Sequence, residues 1–293
     1  MPDLTPTLLL AAALTLLPLL AAAFFPHARS VCRRLPLPIR IVAPLLLCLP
    51  YLLVTTHLRW SWLSLYALLP IAVAILLHHA ARIDPHQRGA WPDLVVLATL
   101  GLAVDLRWFE SAWPPHLAVF NKMLLLDTGI WGFLVVRNLH NTGFDLRLRL
   151  RDLRIGMREF AFYTPIAIAL GFALHFLHLH LAWPDPILAI GSFLFTFFFI
   201  AVPEELFFRG WIQNLLERRI GRTPALLVTA ALFGLSHFNK RAAHFNWRYV
   251  LLAAIAGIFY GRAWRLGGRH TPRVAASALT HASVDTLWSL FLR

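Results

Sequence analysis

Charged side chains are scarce in this sequence. They make up 14 % of its 293 residues, against roughly a quarter in a soluble domain, so an ordinary water-soluble fold is excluded. Cysteine is nearly absent: Cys32 and Cys48, one in a basic loop and one in an apolar run, supply neither a disulfide framework nor a Cys-x-x-Cys metal motif. No stretch alternates apolar and polar residues with a period of two, which argues against a membrane β-barrel. Acidic residues are few, 14 against 27 Lys and Arg, for a net charge of +13. In a soluble protein that balance suggests nucleic acid. Here no nucleic-acid partner is expected, because the arginines of a membrane protein collect in cytoplasmic loops beside anionic lipid head groups.

What the sequence has instead is hydrophobic length: 59 % of its residues are hydrophobic, arranged in runs near the roughly 20 residues that carry a helix across a bilayer. Hydropathy predicts segments at 7–25, 39–56, 62–79, 93–110, 117–137, 160–181, 187–217, 224–246, 249–265 and 272–292. The expected fold is all-α, a polytopic transmembrane helix bundle of about 8–10 segments. The first segment follows a leader that carries Asp3 and no Lys or Arg, unlike a signal peptide, and is read as a retained helix. The segment at 93–110 is the weakest, because Asp105, Arg107 and Glu110 end it early. With the N-terminus outside, most Arg clusters fall on one side, taken as cytoplasmic in a multi-pass protein of the cell membrane. Lys240, Arg241 and Arg248 are the exception. A basic connection at 138–159 separates N-terminal helices of unknown role (1–150) from a C-terminal part (151–293).

All the candidate chemistry lies in that second part. Three polar insertions interrupt apolar helices: Glu204-Glu205-x-x-x-Arg209, Phe233-x-x-x-His237 and His281-x-x-x-Asp285. Ionisable groups are costly in such surroundings and mark sites of function. Glu205 and Arg209 are i,i+4 neighbours that can pair on one helix face, which leaves Glu204, about 100° around the helix, free to react. Arg218 to Pro224 reads as a turn, with Gly221 as a stop and Pro224 as a start. Glu204 stands 17 residues before Gly221 and His237 stands 16 after it, so in an antiparallel hairpin both lie about 24 Å from the turn and can meet. His281 and Asp285 share one face of the last helix. Hydrolysing a peptide bond inside a membrane needs a sequestered water, a base and donors for the developing oxyanion. Glu204 with His237 suits the first two needs, and His281 with Asp285 faces the third.

These three motifs, in this order and on separate apolar segments, resemble the CPBP family of intramembrane proteases: the CAAX prenyl endopeptidases and the related bacteriocin-processing and self-immunity proteins. The resemblance covers about 193–290. It implies that Glu204 and His237 activate water and that His281 and position 285 form the oxyanion site, with Glu205, Arg209 and Phe233 in support. It also implies membrane lipid as a partner and a membrane-delivered protein or peptide substrate, of the kind that is lipidated or bears a C-terminal sorting signal. Asp285 departs from the family's usual Asn, since an ionised Asp repels an oxyanion where Asn donates to it. Glu204, His237, His281 and Asp285 also make a plausible zinc set. Absence of the His-Glu-x-x-His spacing favours a glutamic mechanism with no cofactor.

Other readings compete. A serine mechanism through Ser236 and His281 leaves Glu204 without a role. A transporter would use the buried carboxylates to bind ions, and a non-catalytic immunity or chaperone protein would not need them at all. The cluster His175, His178 and His180 sits beside a helix end, where solvated histidines are commoner than metal ligands. Lys122 and Asp127 are spaced poorly for pairing.

Overall fold

The computed structural model describes residues 5–55, 59–114, 117–180, 183–240 and 244–292; Asp3 and Arg241 lie outside the described residues. The structure is all-α, and helices account for nearly all the regular structure of these residues. Six helices are long and apolar enough to cross a membrane: Pro6–Phe24, Leu37–Val54, Trp60–Ile83, Ala118–Val136, Pro186–Ile220 and Trp247–Gly267. In chain order the helices are α1 (Pro6–Phe24), α2 (Pro26–Arg34), α3 (Leu37–Val54), α4 (Trp60–Ile83), α5 (Trp91–Asp105) and α6 (Ala118–Val136). They continue with α7 (Leu150–Ala173), α8 (Pro186–Ile220), α9 (Arg222–Leu235), α10 (Trp247–Gly267) and α11 (Val274–Phe291).

Hydropathy predicts ten spanning segments, and four of them fall short for physical reasons. The weakest, α5, has 15 residues and stops at Asp105. The first turns of α7 are the charged residues read from sequence as linker, Arg151, Asp152, Arg154, Arg158 and Glu159. The 14-residue α9 ends at Leu235, well before the expected 246. In α11 the apolar run is broken by Ser277, Thr280, His281 and Asp285. Helices that face other helices can spend apolar positions on polar groups, and hydropathy then underestimates them.

The chain divides into two compact units, Met1–His140 and Asn141–Arg293. In the first, the Arg137 guanidinium is buried between Asp93 (2.9 Å) and Asp84 (2.8 Å), the paired state that a buried charge requires. Tyr66 donates to Asn121 (2.9 Å) and accepts from Trp113 Nε1 (2.6 Å). Lys122 pairs with Glu110 at 3.9 Å, whereas Asp127 is buried and neither of its oxygens has a hydrogen-bond partner among the described residues. Cys32 and Cys48 are free thiols.

The second unit carries the three motifs. Its helices approach closely at small residues, as membrane helices do. A Cβ built on Gly234 of α9 would sit 2.5 Å from the Val250 carbonyl oxygen of α10, and one on Gly257 of α10 would sit 3.0 Å from Ala230 Cα. One on Gly156 of α7 would meet the Ala276 carbonyl oxygen of α11 at 2.9 Å. A strap at 141–149 anchors the start of α11. Gly143 has a φ of +72° and backs onto the Pro272 carbonyl, a conformation glycine adopts at little cost. Arg273 reaches from the N-terminus of α11 to Asp152 (2.6 Å) and Asp145 (2.7 Å). Depth and rotation of α11, and with them the placement of His281, are set by these contacts.

Candidate active site

Asp185 caps α8, its carboxylate accepting from the backbone amides of Ile187 and Leu188, and Pro186 fills the first position, where a missing N–H costs nothing. The helix then runs unbroken to Ile220 but widens into π turns at Phe197–Ala201 and Leu206–Gln213. Pro203 lies between them and has no N–H to give to a preceding carbonyl. Widened turns of this kind are rare and concentrate at functional sites. Here they bracket Glu204 and Glu205.

Glu205 points inward and is fully buried. Its carboxylate lies 3.1 Å from Arg209 Nε and 2.9 Å from His281 Nδ1, and it also accepts from the Ser277 hydroxyl. Arg209 is equally buried. Its Nη2 donates to the Gly257 carbonyl (3.0 Å), and its guanidinium lies over the rings of Phe233 (4.6 Å) and Tyr260 (5.4 Å). The structure thus brings together the Glu205–Arg209 pair expected from spacing and adds His281 to it.

Glu204 projects from a different face, in keeping with the angular step of the helix. Its Oε1 is 3.7 Å from Lys240 Nζ and its Oε2 is 3.9 Å from His281 Nε2. Oε2 is sealed from solvent yet has no hydrogen-bond partner among the described residues. A buried carboxylate oxygen left unsatisfied is costly in a merely structural role.

Gly221, with a φ of +84°, makes the sharp turn between α8 and α9. His237 is not in the helical run that its motif suggested. It sits in the turn beyond α9, where the Ser236 hydroxyl donates back to the Phe233 carbonyl (2.8 Å). Local bonding of this sort competes with helix continuation. The His237 Nδ1 lies 2.8 Å from that same carbonyl. A carbonyl only accepts, so Nδ1 carries the proton and Nε2 presents a lone pair. Ser236 therefore has a protonated nitrogen beside it and no base. His237 is buried, packs edge-on to Tyr249 (4.7 Å) and feels the charge of Glu204.

On α11, Ser277, His281 and Asp285 are spaced four apart along one face. His281 is buried with a carboxylate at each nitrogen: Glu205 at Nδ1, and Asp285 at 3.4 Å from Nε2. Its ring stacks on Tyr260 with centroids 4.6 Å apart and planes 15° off parallel. Phe233 touches both histidines, tilted to His237 at 4.9 Å and edge-on to His281 at 5.6 Å. All seven residues singled out in the sequence therefore surround one region of the second unit. Three neighbours escaped sequence reading. Ser277 is detectable one turn before His281 on the same face, Lys240 reads in the sequence only as a topology marker, and Tyr260 carries no signal in an apolar helix.

His237, His281 and Asp285 open onto a cavity of about 640 Å³, mouth included, walled by aromatic rings that include Tyr163, Phe176, Tyr249, Tyr260 and Trp288. Residues 186–287 match the model of the Rce1-like family, type II CAAX prenyl endopeptidase. The match spans all three motifs and roughly a third of the chain, and it agrees with the resemblance drawn from them. The family supports a CAAX-type intramembrane protease, and the apolar helices make it a multi-pass membrane protein. Neither curated proteins nor solved structures yield a match.

Among the described residues no three His, Cys, Asp or Glu side chains are arranged to hold a metal ion, and both nitrogens of His281 are turned to carboxylates. His175, His178 and His180 are exposed and likewise form no such group.

Proposed function

We propose that this Rce1-like protein hydrolyses a peptide bond near the C-terminus of a membrane-delivered protein or peptide, in CAAX-type processing, through a water activated by Glu204 and His237. The observation that carries this reading is the unsatisfied Glu204 Oε2, sealed from solvent 3.9 Å from His281 Nε2. A water held there by Glu204 and the free Nε2 of His237 loses a proton as its oxygen attacks the carbonyl carbon. The proton then passes to the leaving amine as the C–N bond breaks, so the same pair serves as base and as acid. Glu205 and Arg209 hold His281 from behind, and Asp285 orients its other nitrogen. The imidazole places its charge beside the reacting centre without approaching the substrate directly. No metal enters the scheme. The aromatic cavity suits an apolar segment of the substrate, such as a lipidated C-terminus.

The reading is tested with the full chain in lipid nanodiscs and an internally quenched, prenylated CAAX peptide. Wild-type protein is expected to cleave it. Glu204→Gln and His237→Ala are each expected to lower kcat by about 10²–10⁴-fold, while Ser236→Ala, which loses its bond to the Phe233 carbonyl, stays active. Cleavage by Glu204→Gln at the wild-type rate would overturn the proposal.

A further inference from the structure

An attacked amide puts negative charge on its carbonyl oxygen, and donors aimed at that oxygen are usually the largest contribution an enzyme makes. This site is rich in acceptors, and its donors are turned to them: the Lys240 ammonium faces Glu204 at 3.7 Å. The two nitrogens of His281 face Glu205 (2.9 Å) and Asp285 (3.4 Å). Asp285 is itself an acceptor when ionised. His237 Nδ1 is committed to the Phe233 carbonyl. Of the hydroxyls that line the cavity, Tyr163 donates to the Leu252 carbonyl (2.9 Å) and Thr164 to the Phe160 carbonyl (2.8 Å).

Tyr260 differs from these. The residue is 1 % exposed and lines the cavity; its backbone carbonyl accepts from Ser277 (2.9 Å), while no hydrogen bond joins its hydroxyl to another of the described residues. Its ring is held by stacking on His281 (4.6 Å) and edge-on by Phe233 (5.7 Å), so the hydroxyl is aimed by packing, at no further ordering cost when substrate arrives. Buried tyrosine hydroxyls usually find a protein partner; this one is left for a ligand.

We propose that Tyr260 is a catalytic residue, its O–H donating to the substrate carbonyl oxygen and, as water adds to the carbon, to the oxyanion. The proton stays on tyrosine throughout, and the charge returns to the carbon when the amine leaves. The proposal rests on the protease reading above and supplies the donor that Asp285 cannot.

The test is Tyr260→Phe, which removes one oxygen atom and keeps the stacked ring. In the same peptide assay kcat is expected to fall by about 10²–10³-fold, the cost of losing one oxyanion donor, with KM unchanged. Melting temperature in nanodiscs is expected to be unchanged, because the hydroxyl has no internal bond to lose. In an Asp285→Asn background, where an amide can donate, the same substitution is expected to cost about tenfold less. Wild-type kcat in Tyr260→Phe, beside an inactive Glu204→Gln, would overturn this inference and leave the protease reading standing. A change confined to KM, or a rate loss that follows a lowered melting temperature, would also overturn it. Full activity in Glu204→Gln would remove both.

Discussion

Replacing Arg209 by Met tests how the site is held together. The side chain is fully buried and sits against Glu205 at 3.1 Å, so Met keeps the volume and removes the charge. Glu205 would then be a buried carboxylate whose remaining partners are Ser277 and His281. Breaking a buried pair from one side costs about 3–5 kcal/mol, most of it the penalty of the charge left behind. The Gly257 carbonyl also loses its donor, a loss of about 1 kcal/mol that falls within this range. The companion change Glu205→Gln removes the stranded charge, so the double variant is expected to be more stable than the sum of the singles by about 1–3 kcal/mol. Unfolding of the full chain in mixed micelles, followed by far-UV circular dichroism across a denaturant series, gives the three values. Arg209→Met within about 0.5 kcal/mol of wild type, the range of an ordinary surface change, would refute the claim that this pair holds the site. Strict additivity of the two changes would refute the coupling.

Four further outcomes follow from the same geometry. Burial pushes the Asp145 carboxyl up, but hydrogen bonds from Arg147 and Arg273 outweigh that and hold it well below the ordinary carboxylate range. A depressed folded-state value means stability that is present above the unfolded pKa of about 4 and is lost as pH falls toward the folded one; an acid titration of unfolding should therefore be flatter in Asp145→Asn than in wild type. Gly234→Val drives a side chain into the Val250 carbonyl, and is expected to cost about 1–3 kcal/mol and to lower activity by moving His237 away from Glu204. Gly191→Val, with no atom within 4 Å of its Cβ position, should leave both melting and cleavage unchanged. Peptide cleavage is expected to survive extensive chelation; loss of activity restored by added zinc would refute the metal-free scheme.

The membrane class was readable in composition alone, since a chain with 14 % charged residues cannot clothe a soluble fold. The Gly221 turn, the Glu205–Arg209 pair and the shared face of His281 and Asp285 were readable because each depends on contacts within a few residues, which helical geometry dictates. What spacing could not supply is the meeting of separate helices. His281 reaches Glu205 across 76 residues of chain, and that contact depends on the depth of α11, set by Gly143 and Asp145 in the strap and by Arg273 at the start of the helix. His237 leaves the helix because Ser236 and the imidazole both turn back to one carbonyl, a choice that apolar periodicity does not encode. Tyr260 is the extreme case. In sequence it is one more aromatic in an apolar helix, and only the packed neighbours that leave its hydroxyl without a partner single it out. Local spacing singled out the candidate groups; tertiary packing decided which of their atoms are left without a partner, because hydrogen-bond satisfaction is a property of neighbours distant in the chain.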